Sequence, residues 1–179
     1  MTGTCRGSTM AVQLEIFLPQ HAGDVVALEE ECGLEVWRAQ DYARMLTTDT
    51  TFHGLVASLI ENHVSSHSPT DENRHSRDLS FPRVVGFIAG RILPSEAEIY
   101  KLAVDRRCRR QGIASVMMKR FLGMAHERGA LDCYLEVRCS NAGAVAFYES
   151  HGFAWQQTRA LYYANPREDA LVMVRRGEK

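Results

Sequence analysis

IYKLAVDRRCRRQGIA (Ile99–Ala114) is the stretch on which the reading of this chain turns. Its first seven residues, with Ile, Tyr, Leu and Val, read as the end of a β-strand, and its last two open the apolar repeat of a helix. Arg106, Arg107, Arg109 and Arg110 lie between, followed by Gly112. A helix start exposes unpaired backbone N–H groups at the positive end of the peptide dipoles, and Gly112 and Ala114 let an anion approach that backbone closely. The flanking arginines add charge-assisted hydrogen bonds. The junction therefore reads as a pyrophosphate cradle. It has no Walker lysine, and Gly112-Ile113-Ala114 holds only one glycine of the GxGxxG dinucleotide fingerprint, without an acidic partner at the next strand end. The competing reading is a solvated basic turn, against which its place between strand and helix weighs.

Outward from this junction the pattern is that of one sheet with helices around it. Ile113–Arg128 reads as a helix, with Ile113, Val116, Met117, Phe121, Met124 and Ala125 at three- and four-residue spacing and Gly129 as its stop. Leu131–Arg138 alternates as a strand. Ser140 is expected to cap a short helix reaching about His151, and Ala154–Tyr163 and Ala170–Arg175 close the chain as strands. Upstream, Thr51–Ile60, Arg83–Leu93 and Glu96–Val104 read as strands. His21–Cys32 and Arg38–Leu46 read as helices separated by a break at Gly33–Trp37. Asn62–Ser80, polar and turn-rich between two strands, reads as a flexible hairpin insertion. The fold class is α/β (α+β), one domain over residues 1–179 with no linker.

The 179 residues are 45% hydrophobic, enough for one sizeable core, which excludes a disordered chain. No run approaches the ~18 apolar residues of a membrane span, and Met1–Met10 lacks the apolar centre of a secretory signal, so the expected location is the cytoplasm with no membrane partner. Five cysteines without CxxC and seven histidines without HExxH signal neither a disulfide framework nor a metal. Cys108, Cys133 and Cys139 have no recognisable His partner and read as buried or incidental thiols rather than nucleophiles. A net charge of −1 argues against nucleic-acid binding by bulk electrostatics. Its distribution is uneven: residues 1–61 carry three basic and nine acidic side chains, residues 101–120 seven basic and one acidic. A basic pole, Lys101–Arg120, suits a small, highly charged anion, and the acidic region Met1–Glu61 suits a cationic acceptor.

The strand IYKLAVD followed by RRQGIA resembles the acetyl-CoA-binding motif of the GNAT superfamily of N-acetyltransferases, written Q/R-x-x-G-x-G/A, with Ala114 in the last place. LEVRCSNAGAVAFYESHGF (Leu135–Phe153) and REDALVM (Arg167–Met173) resemble the bacterial RimI subgroup, which acetylates the N-terminal alanine of a ribosomal protein. The likeness runs from about Val84 to Val174. It implies a mixed sheet splayed between its fourth and fifth strands, helices on both faces, acetyl-CoA as cosubstrate and no metal. It further implies that Leu102, Ala103 and Val104 pair their backbone with the pantetheine arm. Arg109, Arg110, Gln111, Gly112, Ile113, Ala114 and Ser115 would hold the pyrophosphate, and Asn141 and Tyr148 would face the cofactor. Glu136 would be the general base and Tyr148 the general acid. Where the family has Pro or an acid and an aromatic before the loop, this chain has Arg106, Arg107 and Cys108. The walls of the acceptor groove would be Leu34–Trp37, with Glu35 and Trp37, and Arg159–Tyr163, with Tyr162 and Tyr163. The expected partners are acetyl-CoA and a protein or peptide N-terminus such as that of a ribosomal protein, the enzyme acting as a monomer or weak dimer. The alternatives are a GNAT acting on a small amine or antibiotic, a non-catalytic acyl-CoA-binding module, and an RNA role for the arginines.

The chemistry stands beside the resemblance. Attack on a thioester needs a neutral amine. An α-amino group with pKa near 7.7–8.0 is about 10% neutral at pH 7, a lysine near 10.4 below about 0.1%. A carboxylate acting directly or through water is base enough for the former. Alternation puts Leu131, Cys133, Leu135 and Val137 on one face of their strand and Tyr134, Glu136 and Arg138 on the other. Glu136 also reads as a paired surface carboxylate, and Tyr148 as a core aromatic. A Tyr148 hydroxyl in the site would hydrogen-bond the departing thiolate.

Overall fold

The structure, a computed structural model, describes residues 2–5, 8–61 and 83–177. In chain order its elements are β1 (Thr2–Cys5), β2 (Ser8–Ile16), α1 (Ala22–Cys32), α2 (Ala39–Thr48), β3 (Phe52–Glu61), β4 (Arg83–Ile92), β5 (Ser95–Val104), α3 (Ile113–Glu127), β6 (Ala130–Arg138), α4 (Ala142–Glu149), β7 (Ala154–Ala164) and β8 (Arg167–Arg175). The strands form one mixed sheet in the order β1-β2-β3-β4-β5-β6-β8-β7. β5 and β6 are parallel and every other neighbouring pair is antiparallel. The expected α/β (α+β) class holds. The hairpin β1–β2 is additional to the sequence expectation, although Val12 and Leu14, which pack on the core, alternate with Gln13 and Glu15. The insertion expected at Asn62–Ser80 lies outside the described residues; the strands flanking it, β3 and β4, are antiparallel neighbours.

Helices cover both faces. On one, Met117, Met118 and Phe121 of α3 pack with Ile88, Leu135 and Met173 of the sheet. On the other, Val25 and Leu28 of α1 and Tyr42 of α2 pack with Phe52, Phe87 and Ala103. Each fully buried side chain of this size contributes roughly 1.5–3 kcal/mol.

The sheet forks between the strands that precede and follow α3. The β5–β6 ladder runs from Ser95↔Ala130 to Ile99↔Leu135 and stops. β5 continues on β4 up to Val104↔Gly86, and β6 on β8 up to Arg138↔Ala170. This is the expected splay, and one strand more than the resemblance implies precedes it, so the splayed pair is fifth and sixth in chain order. A bulge in β5 accompanies it: Ala89 pairs with Lys101 but Gly90 with Ile99, leaving Tyr100 over. An extra residue bends and twists its strand. Tyr100 and Lys101 therefore both turn to the α1–α2 face, Tyr100 against Trp37 and Phe52 and Lys101 onto Glu29. The close approach requires glycine at Gly90, where a Cβ would lie 2.1 Å from the Glu98 carbonyl oxygen.

Lys101 thus leaves the basic pole to which its sequence position assigns it. Its Nζ lies 2.6 Å from Glu29 Oε1, donates to the Glu35 carbonyl at 2.5 Å and sits 4.1 Å above the Trp37 ring. Glu29 is fully buried and also accepts from the Tyr42 hydroxyl (2.5 Å) and the Trp37 N–H (3.0 Å). Burial and the Glu29 carboxylate both push the Tyr42 phenol up; burial pushes Lys101 down against the pull of Glu29. This network ties α1, the α1–α2 loop and β5 together. Removing one partner of a buried pair strands the other charge, at a cost of about 3–5 kcal/mol. Lys101→Met should therefore lower the free energy of urea unfolding by about 3 kcal/mol. Adding Glu29→Gln should recover part of that loss by removing the stranded charge; a double variant weakened by the sum of the single effects would show that the two groups do not act as a pair.

Candidate active site

Helix α3 starts at Gly112, in the left-handed region with φ 81°, and no side chain caps it. The first helical bond is Val116 N–H to the Gly112 carbonyl at 3.0 Å. The N–H groups of Ile113, Ala114 and Ser115 thus have no intrahelical acceptor, which makes this end a receptor for an anion. Arg110 and Gln111 are exposed beside it, Arg110 at φ 63°, and Ile113 anchors the helix in the core. Arg109 is placed differently from its expected phosphate role: Nε donates to the Val104 carbonyl at 2.9 Å, and Nη2 reaches Cys32 Sγ at 3.7 Å. Arg107 and Arg83 each lie 2.9 Å from Asp105 and also face Glu31. The Arg107 guanidinium holds the Asp105 carboxyl below the usual range. Among the described residues, Arg106, Arg110 and Lys119 of the basic pole form no ion pair.

The open edge of β5 leads from this anion receptor to the fork. Asp105 N–H bonds back to the Val85 carbonyl at 2.8 Å, so alternation turns the polar groups of Leu102 and Val104 to the open edge and those of Ala103 to β4. Of the three residues expected to pair with an extended ligand, Leu102 has its backbone groups available on that side and Val104 its N–H, the Val104 carbonyl being taken by Arg109. Ala103 is the correction, made by its ladder with Phe87.

Beyond the fork, Cys133, Leu135 and Val137 of β6 are buried, while Tyr134, Glu136 and Arg138 face the cleft. Strand β7 bulges opposite them. Arg159 pairs with Ala170 and Tyr163 with Glu168, so three residues of β7 stand against Asp169 alone. The bulge is held by Leu161, whose φ is 53° and whose N–H bonds Asp169 Oδ1 at 2.7 Å. It turns two side chains onto Glu136: the Arg159 guanidinium, in an ion pair, and the Tyr162 hydroxyl, which donates a hydrogen bond. The carboxylate beside it pushes the Tyr162 phenol up to about 12. Glu136 is mostly covered (15%) and Arg159 half open (49%). Tyr163 is half-buried under the Arg138 guanidinium, 4.1 Å from its ring, and Arg138 in turn pairs with Glu168 at 3.1 Å. Burial, then Glu136, raises the Tyr163 phenol, and exposed Glu35 contributes from the α1–α2 loop. Tyr162 and Tyr163 thus lie beside Glu136, and Glu35 faces Tyr163 from the α1–α2 loop. Trp37 instead packs inward on Tyr42 and under Lys101.

Tyr148 of α4 is buried between Phe147 and Phe153, which pushes its phenol up to about 12 and keeps it protonated. Asn141 precedes α4 rather than projecting from its face with Tyr148: its Oδ1 accepts the Ala144 N–H at 3.1 Å and caps the helix. Ser140 is therefore not the cap; its N–H donates to Glu168 at 2.5 Å. Cys133 is sealed in the core and its thiol pushed up to about 12, inert as a nucleophile. No three potential metal ligands gather among the described residues. Asp105 escapes the sequence reading, and Arg159 enters it only as the end of a groove wall, because their placement depends on bulges and register.

The acetyltransferase (GNAT) family matches residues 25–153. The ribosomal protein bS18-alanine N-acetyltransferase of Escherichia coli K12 is 34% identical over 108 residues, 56% of this chain and 73% of that protein. An N-alpha-acetyltransferase of Saccharolobus solfataricus is 36% identical over 105 residues, 51% of this chain and 62% of that protein. Among solved structures, Ard1 from Thermoplasma volcanium has a TM-score of 0.72 at 26% identity, covering 94% of this chain and 99% of that one. The E. coli ribosomal-protein-S18-alanine N-acetyltransferase also has a TM-score of 0.72, at 22% identity over 94% and 96% of the two chains.

The hydrogen bond between Tyr162 and Glu136 has a direct signature. Glu136→Gln removes the carboxylate that raises the phenol, so Tyr162 should titrate at lower pH than in the wild type, by ultraviolet difference titration against a Tyr162→Phe control. An unmoved phenol would separate the two residues.

Proposed function

This chain belongs to the acetyltransferase (GNAT) family, and from that premise we propose that it acetylates the N-terminal alanine of a ribosomal protein. It is an N-acetyltransferase whose acetyl donor is acetyl-CoA. The observation that carries the acceptor reading is the placement of Tyr162 and Tyr163 beside Glu136, on the far side of the fork from the anion receptor, with Glu35 facing Tyr163. The E. coli relative acts on ribosomal protein bS18 alanine, and the Saccharolobus relative is an N-alpha-acetyltransferase. A depression of about 340 Å³ lined by Val36, Trp37, Arg38, Asp41 and Met45 adjoins the Glu35 wall and offers room for residues that follow the amine. A peptide needs such room, and a small amine does not.

The bare N–H groups of α3 and the polar edge of Leu102 and Val104 fit a pyrophosphate joined to an extended amide arm, and Arg106 and Arg110 complete the positive field. Acetyl-CoA supplies the thioester. Glu136 offers about four acceptor positions on its two oxygens, of which Arg159 and Tyr162 fill two, so it can receive the acceptor's ammonium as well. Tyr148, held protonated, supplies the hydrogen bond that the departing sulfur needs. In this reading the enzyme is one domain over residues 1–179 and acts in the cytoplasm as a monomer or weak dimer.

The test is to incubate the protein with acetyl-CoA and peptides beginning with free alanine, the same peptides blocked at the N-terminus, and a panel of small amines, locating new acetyl groups by mass. Acetylation of the free N-terminus alone is expected; modification of lysine in the blocked peptide, or of small amines only, would refute the reading. Tyr148→Phe should slow turnover about 10²-fold with little change in coenzyme A affinity, and equal rates would exclude Tyr148 as the proton donor.

A further inference from the structure

We propose that Lys101 is a positioning residue for the acceptor: through the Glu35 carbonyl it fixes the α1–α2 loop against β5, and so sets how tightly the acceptor is held. The assignment rests on the proposed acceptor groove, in which Glu35 faces Tyr163.

The loop has little else to hold it. α1 ends at Gly33, in the left-handed region with φ 68°, and the Leu34 N–H turns back to the Glu29 carbonyl at 2.9 Å. Leu34 and Trp37 pack on the core, but Glu35 and Val36 between them are exposed. Among the described residues, two hydrogen bonds fix the backbone on either side of this exposed pair. At one end the Lys101 ammonium donates to the Glu35 carbonyl at 2.5 Å, and at the other the Trp37 N–H donates to the Glu29 carboxylate at 3.0 Å. Both lead to the same ion pair, Lys101 with Glu29, 2.6 Å apart.

Stability alone does not account for that pair. Replacing a buried ion pair by apolar side chains of the same volume is often neutral or favourable. What the pair supplies, and apolar contact lacks, is direction. An ammonium has three N–H donors. Here it bonds Glu29 and the Glu35 carbonyl while the Trp37 ring lies 4.1 Å away, which holds it in one orientation.

The place of Lys101 on β5 gives that orientation a use. Lys101 follows Tyr100, the residue left over by the bulge, and precedes Leu102, whose backbone faces the open edge. Adjacent residues of one strand therefore register the two substrates, Leu102 the donor and Lys101, through Glu35, the acceptor. A displaced loop changes where the Glu35 carboxylate stands relative to Tyr163, while Glu136 and Tyr148, on β6 and α4, keep their places.

The experiment separates this role from stability. The kcat and KM for an alanine-initiated peptide are measured at saturating acetyl-CoA, beside coenzyme A affinity and the urea midpoint, in the wild type, in Lys101→Met, and in Lys101→Met combined with Glu29→Gln. The double variant keeps an oxygen for the Trp37 N–H and the Tyr42 hydroxyl and strands no charge, but it leaves the Glu35 carbonyl without its donor. Peptide KM should rise about tenfold in both variants, with kcat and coenzyme A affinity within about twofold of the wild type, while the urea midpoint recovers only in the double variant. A peptide KM that returns to the wild-type value as stability returns, or a loss confined to kcat, would overturn the assignment. A second comparison adds Glu35→Ala. Losing Lys101 should raise KM less once the Glu35 side chain is gone, and strictly additive effects would also overturn the assignment. If Lys101→Met does not fold, the double variant and its Glu35→Ala derivative carry both comparisons. If the wild type acetylates a small amine and no N-terminus, the acceptor reading fails by itself, and the same KM comparisons with that amine still decide whether Lys101 positions the acceptor.

Discussion

Tyr100 has no partner on β4, because Ala89 pairs with Lys101 and Gly90 with Ile99. The rest of the site is arranged around that extra residue. It lies where the β5–β6 ladder ends, so the strand bends at the place where the sheet opens. It breaks the alternation of β5, sending Tyr100 and Lys101 to the same face. After it, Leu102 presents its backbone and Val104 its N–H to the open edge. Gly90 makes this possible, since any side chain there would meet the Glu98 carbonyl.

Internal pairing redistributes the charge seen in the sequence. Lys101 is drawn to the buried Glu29, and Arg107 and Arg83 to Asp105 and Glu31. The basic pole is thereby reduced at its strand end and kept at the helix end, where Arg110 and the bare amides of α3 lie together. The acidic N-terminal region is likewise reduced: Glu29, Glu31 and Asp41 have cationic partners, and Glu35 is the carboxylate that influences the cleft through Tyr163. A count of charges locates a pole, but only the tertiary pairing shows which members can meet a ligand.

Elements with an uninterrupted apolar period are legible from the chain itself. α3, β6 and the strands around them follow from side chains at three- and four-residue or two-residue spacing. The α3 junction is legible because its chemistry is local: glycine, free amides and arginines within six residues. Glu136 can be assigned to the cleft face by alternation alone. Arg159 and Tyr162 depend on a bulge, and Glu29 with Lys101 on contact across 72 residues of chain. Asn141 displaces Ser140 as the cap because Glu168, far along the chain, takes the Ser140 amide.

The β7 bulge serves the fold and the site through the same geometry. β7 ends the sheet, and all its residues except Tyr163 are exposed, including Trp155 and Leu161. A long, flat edge of that kind invites pairing with another chain. Three residues against one, with Leu161 left-handed and pinned to Asp169, interrupt the edge and twist it. The displaced backbone aims Arg159 and Tyr162 inward, onto Glu136, in place of a regular ladder. The bulge therefore disrupts the edge and aims the two donors that fix Glu136.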